Sequence, residues 1–433
     1  MDLILPYLAL PFAILLLLNV PVAFSLVLAS AFFLTFSGTR IPGMMLANDM
    51  FGAIDSISLL ALPTFVLAGE LLNRCNLTEK LTTLALKLVG WIPGGLAHVS
   101  VVAAIFFGGI NGSAIADAAS IGPIMIPGMV RGRYPREMAA AIVAAAAVIG
   151  AIVPPSIPLV IIGGQLQISV SGLLIGGVVP ALLIAILLML VCFIGAIWRG
   201  YGQVHRFEGV KSLLASLLDA GPAVIIPVLI LGGLMFGIFS PTEAGTVTVL
   251  YTLAIGAFYY RTLTFERFSA ALTATVRVTA NSLLIVAAAV VFGHIVAYYR
   301  LPQMVLTAMT SLTTDRSMLI LLVIALFIIV GMFMDAVANM IILGPLLMPI
   351  CVDGLGMHPI QYGIFLMVGL LLGILHPPIG LILFVVAPIA KVSLERVAVA
   401  VLPFLALEMM VLVAIAFIPE VSLGLPRAVG LVR

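Results

Sequence analysis

The sequence predicts an all-α polytopic membrane protein, and three features support this prediction. Hydrophobic residues make up 64% of the chain and charged residues only 8%, which is too little charge to cover a soluble surface. Apolar segments, most of them near the length of about 20 residues that a membrane span needs, follow one another with short polar stretches between them. The third feature is an internal repeat, in which each copy carries a glycine-rich motif and a Pro-Pro pair.

The composition also excludes several classes of function. The net charge of +2 offers no basic field for nucleic acid. The three cysteines, Cys75, Cys192 and Cys351, are scattered without metal-binding spacing, and we expect them in the core. An intramembrane protease is disfavoured, because the sequence has no HExxH motif and no serine-nucleophile motif.

The apolar segments leave room for roughly ten crossings and little else. The longest polar stretch lies near the middle of the chain, and we take 199–217 as a cytoplasmic linker between a first repeat, 1–198, and a second, 218–433. The segments are 3–18, 20–37, 50–72, 97–129, 138–170, 172–198, 218–239, 244–260, 268–299, 317–350, 360–390 and 395–419.

The repeat is read from two aligned motifs. Residues 109–127 (GINGSAIADAASIGPIMIP) align with residues 331–349 (GMFMDAVANMIILGPLLMP) at a shift of 222, the distance from Gly122 to Gly344. Downstream, the Pro-Pro pair at 154–155 aligns with the pair at 377–378 at a shift of 223. A coincidence of Gly-Pro and Pro-Pro pairs in one register is improbable even in a biased sequence.

The motif segments, 97–129 and 317–350, are longer than a simple span and are interrupted by Gly, Asn, Ser or Asp. We interpret them as re-entrant helical hairpins, since irregular backbone at membrane depth is tolerated only where it lines a cavity. Each repeat then has five crossings and one hairpin. Because five is odd, the second repeat is inserted upside down, which predicts an inverted repeat of the kind found in many secondary transporters.

The placement of basic residues supports this topology. With the N-terminus outside, the loops around 73–91, 131–136, 199–211, 261–267 and 391–396 are cytoplasmic. They hold 13 of the 19 basic residues, whereas 351–359 has none. Hairpin one should therefore open from the cytoplasm and hairpin two from the outside.

Residues 77–91 show a different pattern. Leucines at helical spacing alternate with charged and hydroxyl side chains up to Trp91, which predicts an amphipathic helix at the membrane interface. Residues 301–313 are its weaker counterpart in the second repeat. The alternative for 77–91 is an ordinary cytoplasmic loop.

Two aspartates lie inside the hairpins. A charged side chain at the bilayer centre costs about 2.5–3.5 kcal/mol on insertion scales, so Asp117 and Asp335 should face water, an ion or a polar partner. The alternative is that each caps a helix N-terminus. Glu70, Glu243 and Glu408 lie near segment ends, where we expect them to face water.

The Pro-Pro pairs must stop their helices, because proline has no N–H and clashes with the preceding turn. The carbonyls around 150–153 and 373–376 then lose their helical partners and lie at negative half-helix ends. Such carbonyls suit a hard cation such as Na⁺, and the hairpin tips add Asn111 and Ser113 in one repeat and Asp335 in the other. One cation site per repeat follows, and the alternative is a pair of proline kinks without an ion.

A second half-helix begins after each break, with an electropositive N-terminus. These ends and the hairpin tips suit an anionic group such as a carboxylate. The substrate-binding candidates are Asn111, Asp117, Ser156 and Asn339.

The motifs GINGSAIADAASIGPIMIP with GAIVPPS, and GMFMDAVANMIILGPLLMPI with GILHPPIG, resemble the large membrane subunit of TRAP (tripartite ATP-independent periplasmic) transporters. The resemblance covers essentially the whole chain. It implies Na⁺-driven uptake of organic acids across the bacterial inner membrane, and an elevator mechanism in which a transport domain slides against a scaffold. It also implies two partners: a periplasmic substrate-binding protein and a small four-helix membrane subunit, here expected as a separate chain.

The resemblance further implies two sodium sites. The first is formed by Asn111, Ser113, Gly150, Val153 and Pro155, and the second by Asp335, Gly373, His376 and Pro378. No cofactor other than the coupling Na⁺ is expected.

Two other functions stay open at this point. One is a stand-alone sodium/carboxylate symporter that needs no partner subunits, and the other is an ion channel, in which broken helices and carbonyl sites also occur. The sequence does not select among sialic acid, C4-dicarboxylates, 2-oxo acids and other carboxylates as substrate.

Overall fold

The computed structural model describes residues 3–18, 20–39, 41–75, 77–111, 113–202 and 208–432. These residues form helices and no β-strand, which confirms the predicted all-α class. Short π or 3₁₀ turns lie at Leu5–Ala9, Ile57–Leu60, Ile255–Tyr259 and Pro349–Gly354. The α-helices are α1 Leu10–Leu17, α2 Val22–Phe36, α3 Met44–Ile54, α4 Ala61–Arg74, α5 Leu77–Val89, α6 Gly95–Asn111, α7 Ala114–Arg131, α8 Arg136–Ile152, α9 Ile157–Leu166, α10 Val170–Gly176, α11 Val178–Arg199, α12 Val210–Met235, α13 Pro241–Ala254, α14 Phe265–Tyr298, α15 Leu301–Leu312, α16 Arg316–Gly331, α17 Ala336–Met348, α18 Pro359–Leu375, α19 Leu381–Ala390, α20 Leu394–Phe417 and α21 Glu420–Ala428.

Six helical stretches of the described chain are long and apolar enough to cross a membrane, and a seventh is added if α8 and α9, bent by 44°, count as one span. The remaining apolar helices have only 10–17 residues. Fewer long spans appear than the ten expected crossings, because glycine, proline and polar residues divide several apolar segments into two short helices. The number of crossings in each repeat stays a prediction.

Two boundaries differ from the sequence-based expectation. The segment 50–72 is divided, since α3 ends at Ile54 and α4 begins at Ala61, with the polar residues Asp55 and Ser56 between them. The helix α12 begins at Val210, so its first two turns occupy part of the stretch predicted as linker.

The predicted amphipathic helix is present as α5. Its residues Leu77, Leu81 and Leu84 are buried, and the helix packs on α12 and α6. Lys80 Nζ lies 2.7 Å from Asp219 Oδ1 on α12, which ties the polar face of α5 to its neighbour. Its predicted counterpart in the second repeat is the helix α15.

The helices pack as two groups. In the first group, α14 lies along α2, α3 and α4, and α13 packs between α4 and α12. In the second group, α8 contacts α6, α7, α11, α19 and α20, while α18 contacts α16, α17 and α20. The two central helices carry no polar face: all residues from Ala139 to Ile152 and from Ile360 to Leu375 are buried, as expected for helices that are surrounded on every side.

Candidate functional site

The first motif forms two antiparallel helix arms, α6 and α7, with a break after Asn111. Ser113 is the N-cap of α7, and its Oγ accepts a hydrogen bond from the N–H of Ala116 at 3.4 Å. The side chain of Asn111 lies outside the described part of the chain. The arrangement is the helical hairpin that the sequence predicts.

The first Pro-Pro pair separates α8 from α9. Val153 is the C-cap of α8 in an extended conformation, and the peptide between Pro154 and Pro155 is cis. Ser156 is the N-cap of α9 and is fully buried. Its hydroxyl donates to the carbonyl of Ala151 at 2.6 Å and accepts from the N–H of Leu159 at 3.4 Å.

Glycines bring the first hairpin against the first break. A Cβ on Gly108 would lie 2.2 Å from both the Cα and the carbonyl oxygen of Gly150. A Cβ on Gly150 would in turn lie 2.0 Å from Oδ2 of Asp117, which is fully buried in the first turn of α7. Only glycine at both positions permits this junction, which places the hairpin tip beside the end of α8.

The second motif has the corresponding elements, although its two arms contact each other less than α6 and α7 do. Its arms are α16 and α17, and Asp335 is the N-cap of α17, where its Oδ2 accepts from the N–H of Val337 at 3.0 Å. Asn339 is buried, and its amide donates to the carbonyls of Val330 at 3.3 Å and Met334 at 3.1 Å, which fastens the tip to the end of α16. Its Oδ1 has no hydrogen-bond partner among the described residues.

The second Pro-Pro pair separates α18 from α19. His376 is the extended C-cap of α18, and the Pro377–Pro378 peptide is cis. His376 Nδ1 contacts the carbonyl of Pro377. A Cβ on Gly373 would lie 2.5 Å from the Cα of Gly331, so the second hairpin also packs against its break through two glycines.

The two breaks expose fewer carbonyls than expected from sequence. Because the residues four positions on are prolines, the carbonyls of Gly150, Ala151, Gly373 and Ile374 lose their helical donors. Two find replacements: the hydroxyl of Ser156 bonds Ala151, and the N–H of His376 bonds Gly373 at 3.1 Å. Gly150 and Ile374 are left without a helical donor, and no backbone N–H of the described residues bonds the carbonyls of Ile152, Val153, Leu375 or His376 either.

The two halves exchange contacts in a reciprocal way. Helix α7 of the first hairpin packs on α19 of the second half, and α17 of the second hairpin packs on α9 of the first half. A Cβ on Gly122 would lie 3.0 Å from Ile389, and a Cβ on Gly344 would lie 3.4 Å from Leu166. These two contacts join equivalent positions of the aligned motifs, so the hairpins and breaks of both halves form one assembly.

The structure thus packs each hairpin against its Pro-Pro break, through Gly108 and Gly150 in the first half and through Gly331 and Gly373 in the second. The alternative prediction for the two aspartates is that each caps a helix N-terminus. Asp335 does cap a helix and is exposed, whereas Asp117 is buried against Gly150. Sequence reasoning missed Gly108, although the Gly-Gly pair at 108–109 was a signal for close approach. It also missed Gln165, whose amide donates to the carbonyl of Ile341 at 2.6 Å and links α9 to α17.

Broken apolar helices around polar hairpin tips are the architecture of a membrane transporter. Residues 10–421 match the protein family described as "Tripartite ATP-independent periplasmic transporter, DctM component". The chain belongs to this family, which confirms the resemblance seen in the sequence. It is therefore an inner-membrane transport subunit and not an enzyme.

Individual relatives agree over nearly the whole chain. The sialic acid TRAP transporter large permease protein SiaM of Vibrio cholerae is 38% identical, over 94% of this chain and 95% of that protein. The isethionate TRAP transporter permease protein DctMQ of Oleidesulfovibrio alaskensis is 35% identical, over 95% of this chain but only 65% of that longer protein. Among solved structures, the YdaH transporter of Alcanivorax borkumensis has a similar fold, with a TM-score of 0.60, 16% identity and 86% of each chain covered.

Proposed function

We propose that the chain is the transport subunit of a tripartite system that couples sodium entry to the uptake of a small organic anion. The observation that carries this proposal is the pair of junctions in which a hairpin tip meets a helix broken at Pro-Pro. Each junction combines a carbonyl without a helical donor, a half-helix C-terminus and a polar tip. These groups offer oxygen atoms and negative potential to a hard cation at membrane depth.

The proposed first sodium site consists of Asn111, Ser113, Gly150, Val153 and Pro155. Its support is the contact between Gly108 and Gly150, which holds the tip beside the carbonyl of Gly150. Backbone oxygens dominate this donor set, so the identity of the side chain at 153 matters little.

The proposed second sodium site consists of Asp335, Gly373, His376 and Pro378. It differs from the first because the tip supplies a carboxylate, and because the hydroxyl of Ser156 has no equivalent: Ile379 follows the second Pro-Pro pair. The carboxylate of Asp335 accepts the N–H of Val337 at 3.0 Å and also faces the N–H groups of Ala336 and Ala338, and its remaining lone pairs can ligate a cation.

The proposed substrate is a carboxylate, such as sialic acid or a C4-dicarboxylate, bound between the two junctions. The N-termini of α9 and α17 supply positive potential for it. Of the candidates Asn111, Asp117, Ser156 and Asn339, the structure supports Asn339 best, because its buried Oδ1 has no partner in the described chain and can accept from a substrate hydroxyl or amide. Ser156 and Asp117 then position the first junction and do not touch the substrate.

We further propose that the halves are inverted repeats, with five crossings each, and that transport follows an elevator mechanism. The reciprocal contacts of α7 with α19 and of α17 with α9 support the repeat. In this proposal the group around α8 and α18 is the moving transport domain, and the group around α4 and α14 is the scaffold. The helices α5 and α15 connect the two groups.

Reconstitution tests the tripartite assignment. Proteoliposomes that hold the chain alone should show no uptake under a sodium gradient, and addition of the small membrane subunit and the liganded periplasmic binding protein should restore it. Robust sodium-driven uptake by the lone chain would favour the stand-alone symporter. Ion conduction without substrate would favour a channel.

A further inference from the structure

A groove on the outer surface of the proposed scaffold carries an arginine at the boundary of the hydrocarbon core. The groove has a volume of about 660 Å³ and lies where α4 ends and α14 begins. Its polar lining comes from Arg74, Glu266, Ser269, Thr273 and Arg277. None of these residues belongs to the two junctions.

A polar stripe on α14 forms one wall of the groove. Ser269, Thr273 and Arg277 follow one another at intervals of four residues, so they lie on one face of the helix. The adjacent side chains of Val276 and Val278 are exposed, which shows that this face points away from the protein interior. The hydroxyl of Thr273 donates to the carbonyl of Ser269 at 2.9 Å, so Arg277 is the member of the stripe whose charge needs a partner. A charged side chain seldom faces lipid without one, so Arg277 indicates a ligand.

Arg277 has an uncompensated charge. No carboxylate lies within ion-pair distance of it in the described part of the chain. Arg74, across the groove, is engaged at its Nε by Glu70 at 3.1 Å, which leaves its terminal nitrogens available. The carboxylate of Glu266 lies at the helix end, and the deeper part of the groove is positive.

The length of α14 fixes the depth of Arg277. The helix has 34 residues and is about 50 Å long, whereas the hydrocarbon core is about 30 Å thick. Tyr298, an exposed aromatic residue at the far end, marks one membrane interface. About 20 residues span the hydrocarbon, and counting back by that number from Tyr298 reaches Arg277, at the opposite boundary.

We propose that this groove binds the phosphodiester of a membrane phospholipid, with preference for anionic lipids. Arg277 pairs with the phosphate, assisted by Arg74 and the hydroxyl of Ser269, while acyl chains lie along the exposed valines. Basic pockets of this kind between membrane helices bind lipid head groups. A membrane-spanning helix of another protein is a poorer occupant, because it would need an exposed surface along the length of α14. Residues 282–293 of α14 are not exposed, so no such continuous surface exists beyond Asn281.

Native mass spectrometry of the delipidated full-length chain tests the proposal. The probes are tetraoleoyl cardiolipin, dioleoyl phosphatidylglycerol, dioleoyl phosphatidylcholine and inorganic phosphate. Arg277→Gln should weaken binding of the two anionic lipids about fivefold, the equivalent of one lost arginine contact near a membrane surface. Arg277→Lys, and the control Arg316→Gln at the exposed start of α16, should bind them like the wild type.

Inorganic phosphate should not displace the lipids, since it lacks acyl chains. Equal lipid binding by wild type and Arg277→Gln would overturn the proposal, as would displacement by inorganic phosphate at concentrations comparable with the lipid. If Arg277→Gln does not fold, Ser269→Ala, which removes one hydroxyl of the groove and keeps the charge, should lower affinity for the anionic lipids. The complex with the small membrane subunit provides one further outcome. If Arg277→Gln no longer weakens lipid binding in that complex, and position 277 cross-links to the subunit, the groove binds a helix of that subunit and the proposal is overturned.

Discussion

Gly331 and Gly373 lie so close that a Cβ on Gly373 would fall 2.5 Å from the Cα of Gly331. The same relationship joins Gly108 and Gly150, each 223 residues earlier in the chain. In both halves a hairpin arm thus meets a broken helix with backbone atoms in direct contact at these glycines. The contact sets the distance between the hairpin tip and the carbonyls of the break, on which the proposed cation binding depends.

Gly373→Ala should separate the second hairpin from its break. A methyl group 2.5 Å from a backbone atom cannot be accommodated without a shift of α16 or α18. Overpacking costs about 1–3 kcal/mol, so we expect a lower unfolding temperature and sodium-dependent uptake reduced about tenfold. Gly293→Ala is the matched control, because a Cβ there meets nothing within 4 Å. Equal effects of the two substitutions would show that the glycine contact is unimportant.

Gly150→Ala and Asp117→Ala should be coupled. The new methyl group would lie 2.0 Å from Oδ2 of Asp117, so removal of the carboxylate relieves part of the clash. The double variant should therefore be more stable than the sum of the single effects predicts, by about 0.5–3 kcal/mol. Thermal unfolding of the four proteins measures this difference, and strictly additive effects would contradict the observed contact.

The inverted topology can be tested by cysteine labelling. The native cysteines, Cys75, Cys192 and Cys351, are buried and should give little background. In intact cells a membrane-impermeant maleimide should label Asp353→Cys but label Arg131→Cys only after permeabilisation. Labelling of both positions from the same side would eliminate the inverted repeat.

Local chemistry explains how much of the site could be predicted from sequence. The breaks at 154–155 and 377–378 follow from the missing N–H of proline, and the caps at Ser113 and Asp335 follow from the residue types. The contact of Gly108 with Gly150 could not be predicted, because it depends on how two separate helices pack. The replacement donors for Ala151 and Gly373 also depend on the geometry of each turn.

The prediction for Glu408 was wrong for a similar reason. The residue was expected near water, but α20 continues to Phe417 and packs against α8, α11 and α18, so the side chain is fully buried. Neither carboxylate oxygen has a hydrogen-bond partner among the described residues.

Glu408→Gln should therefore leave the unfolding temperature unchanged or raise it, since it keeps the shape and replaces a buried, unpaired carboxyl group with a neutral amide. Glu408→Ala should lower the stability, because it leaves a cavity in the core. Thermal unfolding of both variants in detergent provides the comparison. A large loss of stability in the Gln variant would indicate that the carboxyl group has a partner.

The dependence of uptake on sodium tests the central proposal most directly. Initial uptake rates would be measured against sodium concentration in the complete reconstituted system for wild type, Asp335→Asn and Asp315→Asn. Asp315 is the matched control, because it too is a helix N-cap, with Oδ1 accepting from the N–H of Met318 at 2.9 Å, but it lies at the surface start of α16. Asp335→Asn loses a charged contact worth about 1.5 kcal/mol, so its half-saturating sodium concentration should rise about tenfold. Transport by this variant should recover at high sodium. Asp315→Asn should have the same sodium dependence as the wild type. Identical sodium curves for all three proteins would contradict the account and leave Asp335 as a structural cap.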